Sequence, residues 1–133
     1  MKSVLAIDIG GTFIKYGLIH ENYRIPNKGK VKTPNTTTED FLNELKSLYD
    51  SYKEEIRGIA ISAPGRISEE GVMLTAGILE YLEGFNLAQE LSEVCDGISV
   101  TVENDGKAAA LCEATIGSGK DYPNSVALIF GTG

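Results

Sequence analysis

Asp8-Ile9-Gly10-Gly11-Thr12 puts a carboxylate, two consecutive glycines and a hydroxyl side by side. Paired glycines let a backbone turn tightly and approach an anion with no Cβ in the way. Thr12 adds a hydroxyl donor, and Lys15 is a cation able to reach the same space. Asp8 would repel a phosphate directly, so its natural part is in the shell of a Mg2+ ion that accompanies one. The same glycine pair is also what a plain hairpin turn uses. Gly131-Thr132-Gly133 repeats the logic at the far end of the chain. There it would clamp an extended polyphosphate from the opposite side, or open a dinucleotide fingerprint. Glu103-Asn104-Asp105 offers a carboxylate that could accept a proton from a hydroxyl attacking phosphorus. Taken alone, that tripeptide is first of all an ordinary Asn cap with an Asp in the first helical turn. Gly119-Lys120 is no P-loop, because Ala114 stands where the first glycine belongs and Asp121 where Ser or Thr belongs.

These groups need elements to hold them. Val4–Ile9 is an apolar run that predicts a buried strand ending at the glycine pair, and Phe13–Ile19 predicts a second. The segment from Tyr23 to Thr33 reads as a third, polar strand at an edge. Thr38 is the expected N-cap of a helix whose apolar face is Phe41, Leu42, Leu45, Leu48, Tyr49 and Tyr52. Arg57–Ala63 predicts a buried strand closed by Pro64-Gly65, which carries Ser62-Ala63-Pro64-Gly65-Arg66 to a sheet end where ligands bind. A polar irregular stretch with Gly77 follows, a lid or sugar-facing loop, and then a helix over Leu87–Cys95 capped by Asn86. Ile98–Glu103 predicts a strand, Asn104 caps a helix through Ala114, and Ser125–Phe130 predicts a final strand. This alternation implies an α/β domain with a mixed sheet and flanking helices.

Composition narrows the class. A chain of 133 residues suits one domain. The net charge of −7 argues against a nucleic-acid-binding face, and no apolar run approaches the ~20 residues of a membrane span. The opening MKSVLAIDIGG has too short an apolar stretch for a signal peptide, so a cytoplasmic protein is expected. Cys95 and Cys112 form no zinc-ligand spacing and read as small buried hydrophobes; His20 stands alone.

In their order and spacing, DIGGTFIKYGLI (8–19), GIAISAPGRI (58–67), YLEGFNL (81–87), VENDGKAAAL (102–111) and the terminal GTG (131–133) resemble the N-terminal lobe of ROK-family proteins. That family comprises repressors, open reading frames and sugar kinases. The resemblance spans the whole chain, residues 1–133 as one lobe with the second lobe absent. It implies the ribonuclease-H-like fold of hexokinases and actin, with an antiparallel three-strand meander opening a mixed sheet. It further implies ATP-dependent, Mg2+-assisted phosphorylation of a hexose: glucose, an N-acetylhexosamine or a β-glucoside. By position Asp105 matches the catalytic base and Asn104 a sugar-hydroxyl ligand. Gly65, Arg66 and Gly77 match the sugar-contacting loop. Asp8, Gly10, Gly11, Thr12 and Lys15 match the first phosphate motif, and Gly131, Thr132 and Gly133 begin the second. The family commonly has Ala-Asn after the Glu-Asn-Asp triplet; this chain has Gly106-Lys107, expected to alter packing around the base rather than the base itself. The family's second lobe supplies the adenosine pocket, a Glu/His pair for the sugar and a Cys-rich zinc site. The chain alone is therefore expected to be inactive, and a homodimer is expected to form through the missing lobe. ROK repressors place a helix-turn-helix before the first strand, which argues against that role here. Two other readings stay open: a sugar-sensing protein without catalysis, and an actin-like ATPase that needs no sugar.

Overall fold

The computed structural model describes residues 2–124 and 126–128. Its centre is a five-stranded sheet in the order β3-β2-β1-β4-β5, built from β1 (Ser3–Ile9), β2 (Phe13–Ile19), β3 (Lys28–Lys32), β4 (Ile56–Ala63) and β5 (Ser99–Asn104). β1, β2 and β3 form the antiparallel meander, while β4 and β5 run parallel to β1. The helices α1 (Thr38–Tyr52), α2 (Leu87–Val94) and α3 (Asp105–Ile116) follow β3, β4 and β5.

Alternation along the strands makes the two sheet faces unlike. Leu5, Ile7, Ile9, Ile14, Leu18, Ile59 and Ile61 are buried in one cluster with Phe41, Leu45, Leu48 and Tyr49 of α1 and Leu87 and Leu91 of α2. The other face carries small and polar residues: Ala6 and Asp8, Ala60 and Ser62, Thr101 and Glu103, none of them buried. Hydrophobic burial therefore holds α1 and α2 to one side and leaves the sheet ends on the other accessible.

Several expectations change in detail. The third strand begins at Lys28 rather than Tyr23. Tyr23 takes φ 62 in a turn and Pro26 has no N–H to donate, so pairing with β2 starts beyond them. Thr37, not Thr38, caps α1, its hydroxyl accepting from the Asp40 N–H at 3.1 Å. The stretch 66–86 is no loose polar loop: Met73, Ala76, Leu79 and Leu82 are buried, and Glu80–Leu82 forms a 3-10 turn. The Tyr81 hydroxyl donates to the Pro34 carbonyl, joining this stretch to the approach to α1. Cys95 is buried but Cys112 is exposed, because α3 buries none of its residues. Of the expected last strand, residues 126–128 are in no strand, and Ser125, Ile129 and Phe130 lie outside the described residues. No helix among the described residues is long and apolar enough to cross a membrane.

Candidate functional site

Two neighbouring features occupy the end of the sheet where β1, β4 and β5 finish. The first is the β1–β2 turn. The Gly10 N–H donates to the Phe13 carbonyl at 3.0 Å, closing a tight turn. Thr33 braces it from outside the hairpin: its hydroxyl donates to the Gly10 carbonyl at 2.7 Å and its N–H to the Thr12 carbonyl at 2.9 Å. The N–H groups of Gly11 and Thr12 have no partner among the described residues, as an anion cradle requires.

The two glycines are needed for close approach rather than for a left-handed backbone. A Cβ on Gly10 would lie 2.8 Å from the Phe13 carbonyl oxygen, and one on Gly11 would lie 2.2 Å from Cδ1 of Ile78. Ile78, 67% exposed, thus rests on the turn from the 66–86 segment.

Asp8 lies on the open face in a cross-strand row. Register places Lys15 opposite it on β2 and Ser62 opposite it on β4, with Glu103 beyond on β5. The Ser62 hydroxyl donates to Asp8 Oδ1 at 2.5 Å and leaves the second carboxylate oxygen open. No group of three or more His, Cys, Asp or Glu that could hold a metal ion occurs among the described residues. A Mg2+ ion that travels with phosphates needs only one or two protein carboxylates, and exposed Asp8 fits that demand.

The second feature is a cavity of about 380 Å³ lined by Gly65, Arg66, Ile67, Leu74, Asn104 and Lys107. Small-molecule sites begin at roughly 300 Å³. Asn104 is its keystone. Its Nδ2 donates to the Gly65 carbonyl at 2.6 Å, and its Oδ1 accepts from the Lys107 N–H at 3.1 Å, capping α3. One N–H and one lone pair are left over for a ligand. Gly65 has φ +86, and a Cβ there would fall 2.2 Å from the Thr75 carbonyl oxygen, so only glycine suits the bend. Arg66 follows with its N–H donating to Thr75 Oγ1 at 2.9 Å and its carbonyl accepting from Leu74 N at 2.9 Å.

Asp105 opens α3 directly after Asn104, partly buried, with Oδ1 accepting from the Gly106 N–H at 2.8 Å. That bond orients the carboxylate and leaves Oδ2 unengaged.

Of the residues expected to contact a sugar, Gly65, Arg66 and Asn104 come together in the cavity. Gly77 does not line it; exposed, with φ +58, it sits beside Pro64. Asp8, Gly10, Gly11, Thr12 and Lys15 share the β1–β2 hairpin, whereas Gly131, Thr132 and Gly133 lie outside the described residues. Sequence reasoning missed Lys107, which it treated as a packing change and which lines the cavity instead. The available signal was a lysine in the first turn of a helix, where the helix field disfavours a cation. It also missed Thr33 and Ile78, which no local pattern ties to the glycine turn.

Residues 4–133 match the family model described as ROK family. The chain is 31% identical over 131 residues to a beta-glucoside kinase of Listeria monocytogenes, covering 98% of this chain and 44% of that protein. It is 39% identical over 114 residues to an N-acetylmannosamine kinase of Salmonella newport, covering 84% of this chain and 38% of that protein. A ROK family glucokinase from Streptomyces griseus, solved in complex with glucose and AMPPNP, superposes with a TM-score of 0.77 at 29% identity, over 88% of this chain and 38% of that one. The chain thus spans less than half the length of these relatives.

Proposed function

The chain belongs to the ROK family, and from that premise we propose that it is the N-terminal lobe of an ATP-dependent hexose kinase. In this reading the acceptor is glucose, an N-acetylhexosamine or a β-glucoside, in keeping with the names of the relatives. The observation that supports it is that Asp105 directly follows the cavity-lining Asn104 at the end of β5, the same end of the sheet at which β1 runs into the Gly10-Gly11 turn.

Mg-ATP supplies the phosphoryl group; this chain's residues bind, orient and take a proton. Gly65, Arg66 and Asn104 hold the sugar, and Gly77, beside Pro64, belongs to the same sugar-contacting segment in this reading. The unengaged Oδ2 of Asp105 accepts the proton of the attacking hydroxyl, a role worth ~10²–10⁴-fold in rate. The N–H groups of Gly11 and Thr12 would hold phosphate oxygens, Lys15 would add positive charge, and Asp8 would hold the shell of a Mg2+ ion that neutralises the phosphates. Gly131, Thr132 and Gly133 begin the second phosphate contact.

Phosphoryl transfer depends on positioning from both walls of a cleft. The chain by itself is accordingly inactive in this reading.

The test is ADP release from Mg-ATP across a hexose panel, run on this chain alone and on a two-lobed protein containing it. Sugar-dependent release only from the two-lobed protein is expected. Release from the single lobe would refute the half-site claim. Release indifferent to sugar would favour an actin-like ATPase, and none from a folded two-lobed protein would favour a sugar sensor. Asp105→Asn in the two-lobed protein should cut turnover by ~10²–10⁴-fold while sugar binding survives. Loss of binding in parallel would deny Asp105 the role of base.

A further inference from the structure

We propose that Ile78 is a positioning residue: seated on Gly11, it holds the glycine turn in register with the Gly65–Asn104 cavity, so that phosphoryl donor and acceptor meet. The inference rests on the kinase reading of those two subsites and deepens it by naming what keeps them in register.

Ile78 is exposed and stands outside the buried cluster, yet its place is closely set. The Leu79 N–H donates to the Ala76 carbonyl at 3.0 Å, closing a turn with Gly77 and Ile78 at its tip. Ala76 and Leu79, at 0% and 1% exposure, anchor both ends of that turn in the core. The tip lies between the two subsites. Gly77, with φ +58, approaches the residue before Gly65: a Cβ on it would lie 3.3 Å from Cβ of Pro64. On the other side Ile78 covers Gly11, where a Cβ would lie 2.2 Å from the Ile78 Cδ1.

On the cavity side the same segment is bonded to the sugar-facing loop. Arg66 donates through its N–H to Thr75 Oγ1 and accepts from Leu74 N, and Leu74 lines the cavity. Thr75 is only three residues before Ile78, so the strap between the subsites is short. On the phosphate side a second tie runs beside Ile78. The Tyr81 hydroxyl donates to the Pro34 carbonyl, and the preceding Thr33 donates its hydroxyl to the Gly10 carbonyl. A ligand at one subsite thus restrains the strap, and a ligand arriving at the other meets a lower ordering cost. Truncating Ile78 at Cβ frees Gly11 while leaving every hydrogen bond of the strap in place. Misplacing reacting groups by about 1 Å costs about 10²-fold in rate.

The experiment uses a two-lobed protein containing this chain, its Ile78→Ala and Ile78→Leu variants, and glucose, N-acetylmannosamine and methyl β-glucoside as acceptors. Ile78→Ala should lower kcat about ten- to a hundredfold while the hexose KM stays within about twofold. Ile78→Leu, which keeps a δ-methyl, should restore most of kcat. The side chain is exposed, so the thermal midpoint of both variants should stay close to the parent's. Calorimetry adds a readout that needs no turnover: saturating hexose should tighten AMPPNP binding at least about fivefold in the parent, and not in Ile78→Ala. An unchanged kcat in Ile78→Ala would overturn the proposal, as would a raised hexose KM at unchanged kcat, the mark of a direct sugar contact. So would a kcat loss matched by a fallen midpoint, no recovery in Ile78→Leu, or the same hexose–AMPPNP coupling in parent and Ile78→Ala. The kinase reading fails separately. A parent that couples the two ligands but transfers no phosphoryl group overturns that reading and leaves this one to calorimetry. A parent that phosphorylates hexoses no faster than Ile78→Ala overturns only this one, and a folded parent that binds neither ligand overturns both.

Discussion

The side chain of Asn104 does two separable jobs, and substitution can part them. Its Oδ1 caps α3 through Lys107 N, while its Nδ2 holds the Gly65 carbonyl. Aspartate keeps the capping oxygen but has no hydrogen for Gly65, so Asn104→Asp should lower the unfolding free energy by about 1 kcal/mol. Asn104→Ala loses both contacts and should cost about 2 kcal/mol. Urea denaturation of the three proteins decides it; equal costs for the two variants would mean that the capping oxygen contributes nothing, and an Asn104→Asp without cost would mean that the Gly65 contact contributes nothing. The glycine turn allows a similar separation. Gly11→Ala meets the flexible end of Ile78, whereas Gly10→Ala meets the backbone oxygen of Phe13. Each should destabilise by about 1–3 kcal/mol, as overpacking does. Ile78→Ala should rescue the first and not the second. The glycines and the cap were legible in the sequence because turns and caps are local chemistry. Ile78 against Gly11 was not, since sixty-odd residues separate them.

Among the elements, α1 and α3 stand at opposite limits. α1 follows a helical repeat whose Phe41, Leu45, Leu48 and Tyr49 are all buried, and that repeat could be read directly. Phe41→Ala should therefore cost ~3–5 kcal/mol in chemical denaturation. α3 is rich in Ala and Leu yet buries no residue, and Leu111 is 66% exposed. Its apolar residues are spread around the helix and mark no inner face. Hydrogen exchange in this chain should accordingly show strong protection in β1, β4 and α1, and weak protection in α3 beyond its first turn. Comparable protection in α1 and α3 would contradict this. The 66–86 segment shows the converse limit. Met73, Ala76, Leu79 and Leu82 are buried at intervals of three, which is neither the strand period of 2 nor the helix period of 3.6, so neither pattern announced their packing.

For the molecule as a whole, alkaline pH should expose how the helical side is held. Burial, and then the hydrogen bond to Asp96, pushes the Tyr49 hydroxyl from 10.0 up to about 12. It donates to Asp96 Oδ2 at 2.9 Å, joining α1 to the end of α2. Burial pushes the Cys95 thiol from 9.0 up to about 11. Both groups stay protonated in the native state at pH values where the unfolded chain already loses its protons. Native binding of the extra protons means that stability falls as pH rises. The contribution is fully present below about pH 9, and is lost progressively until pH passes about 11 for Cys95 and about 12 for Tyr49. Urea midpoints measured across that range should decline, and Tyr49→Phe should flatten the part above about pH 10. An unchanged slope in the variant would remove Tyr49 from the account.

The sequence by itself determined the kind and order of the strands and α-helices from β1 to α3, the meander at the start of the sheet, the helix caps to within a residue, and the two motifs that end β1 and β5. These follow from side-chain periods and turn chemistry, which act over a few residues and reflect the backbone's own geometry. Only the tertiary structure decided that Thr33 braces the glycine turn, that Ile78 rests on it, that Gly77 stands outside the cavity, and that Lys107 faces Arg66's loop across Asn104. Those relations hold between residues far apart in the chain. They are fixed when the sheet order and the burial of one face bring strand ends together, a collective free energy that no short window contains.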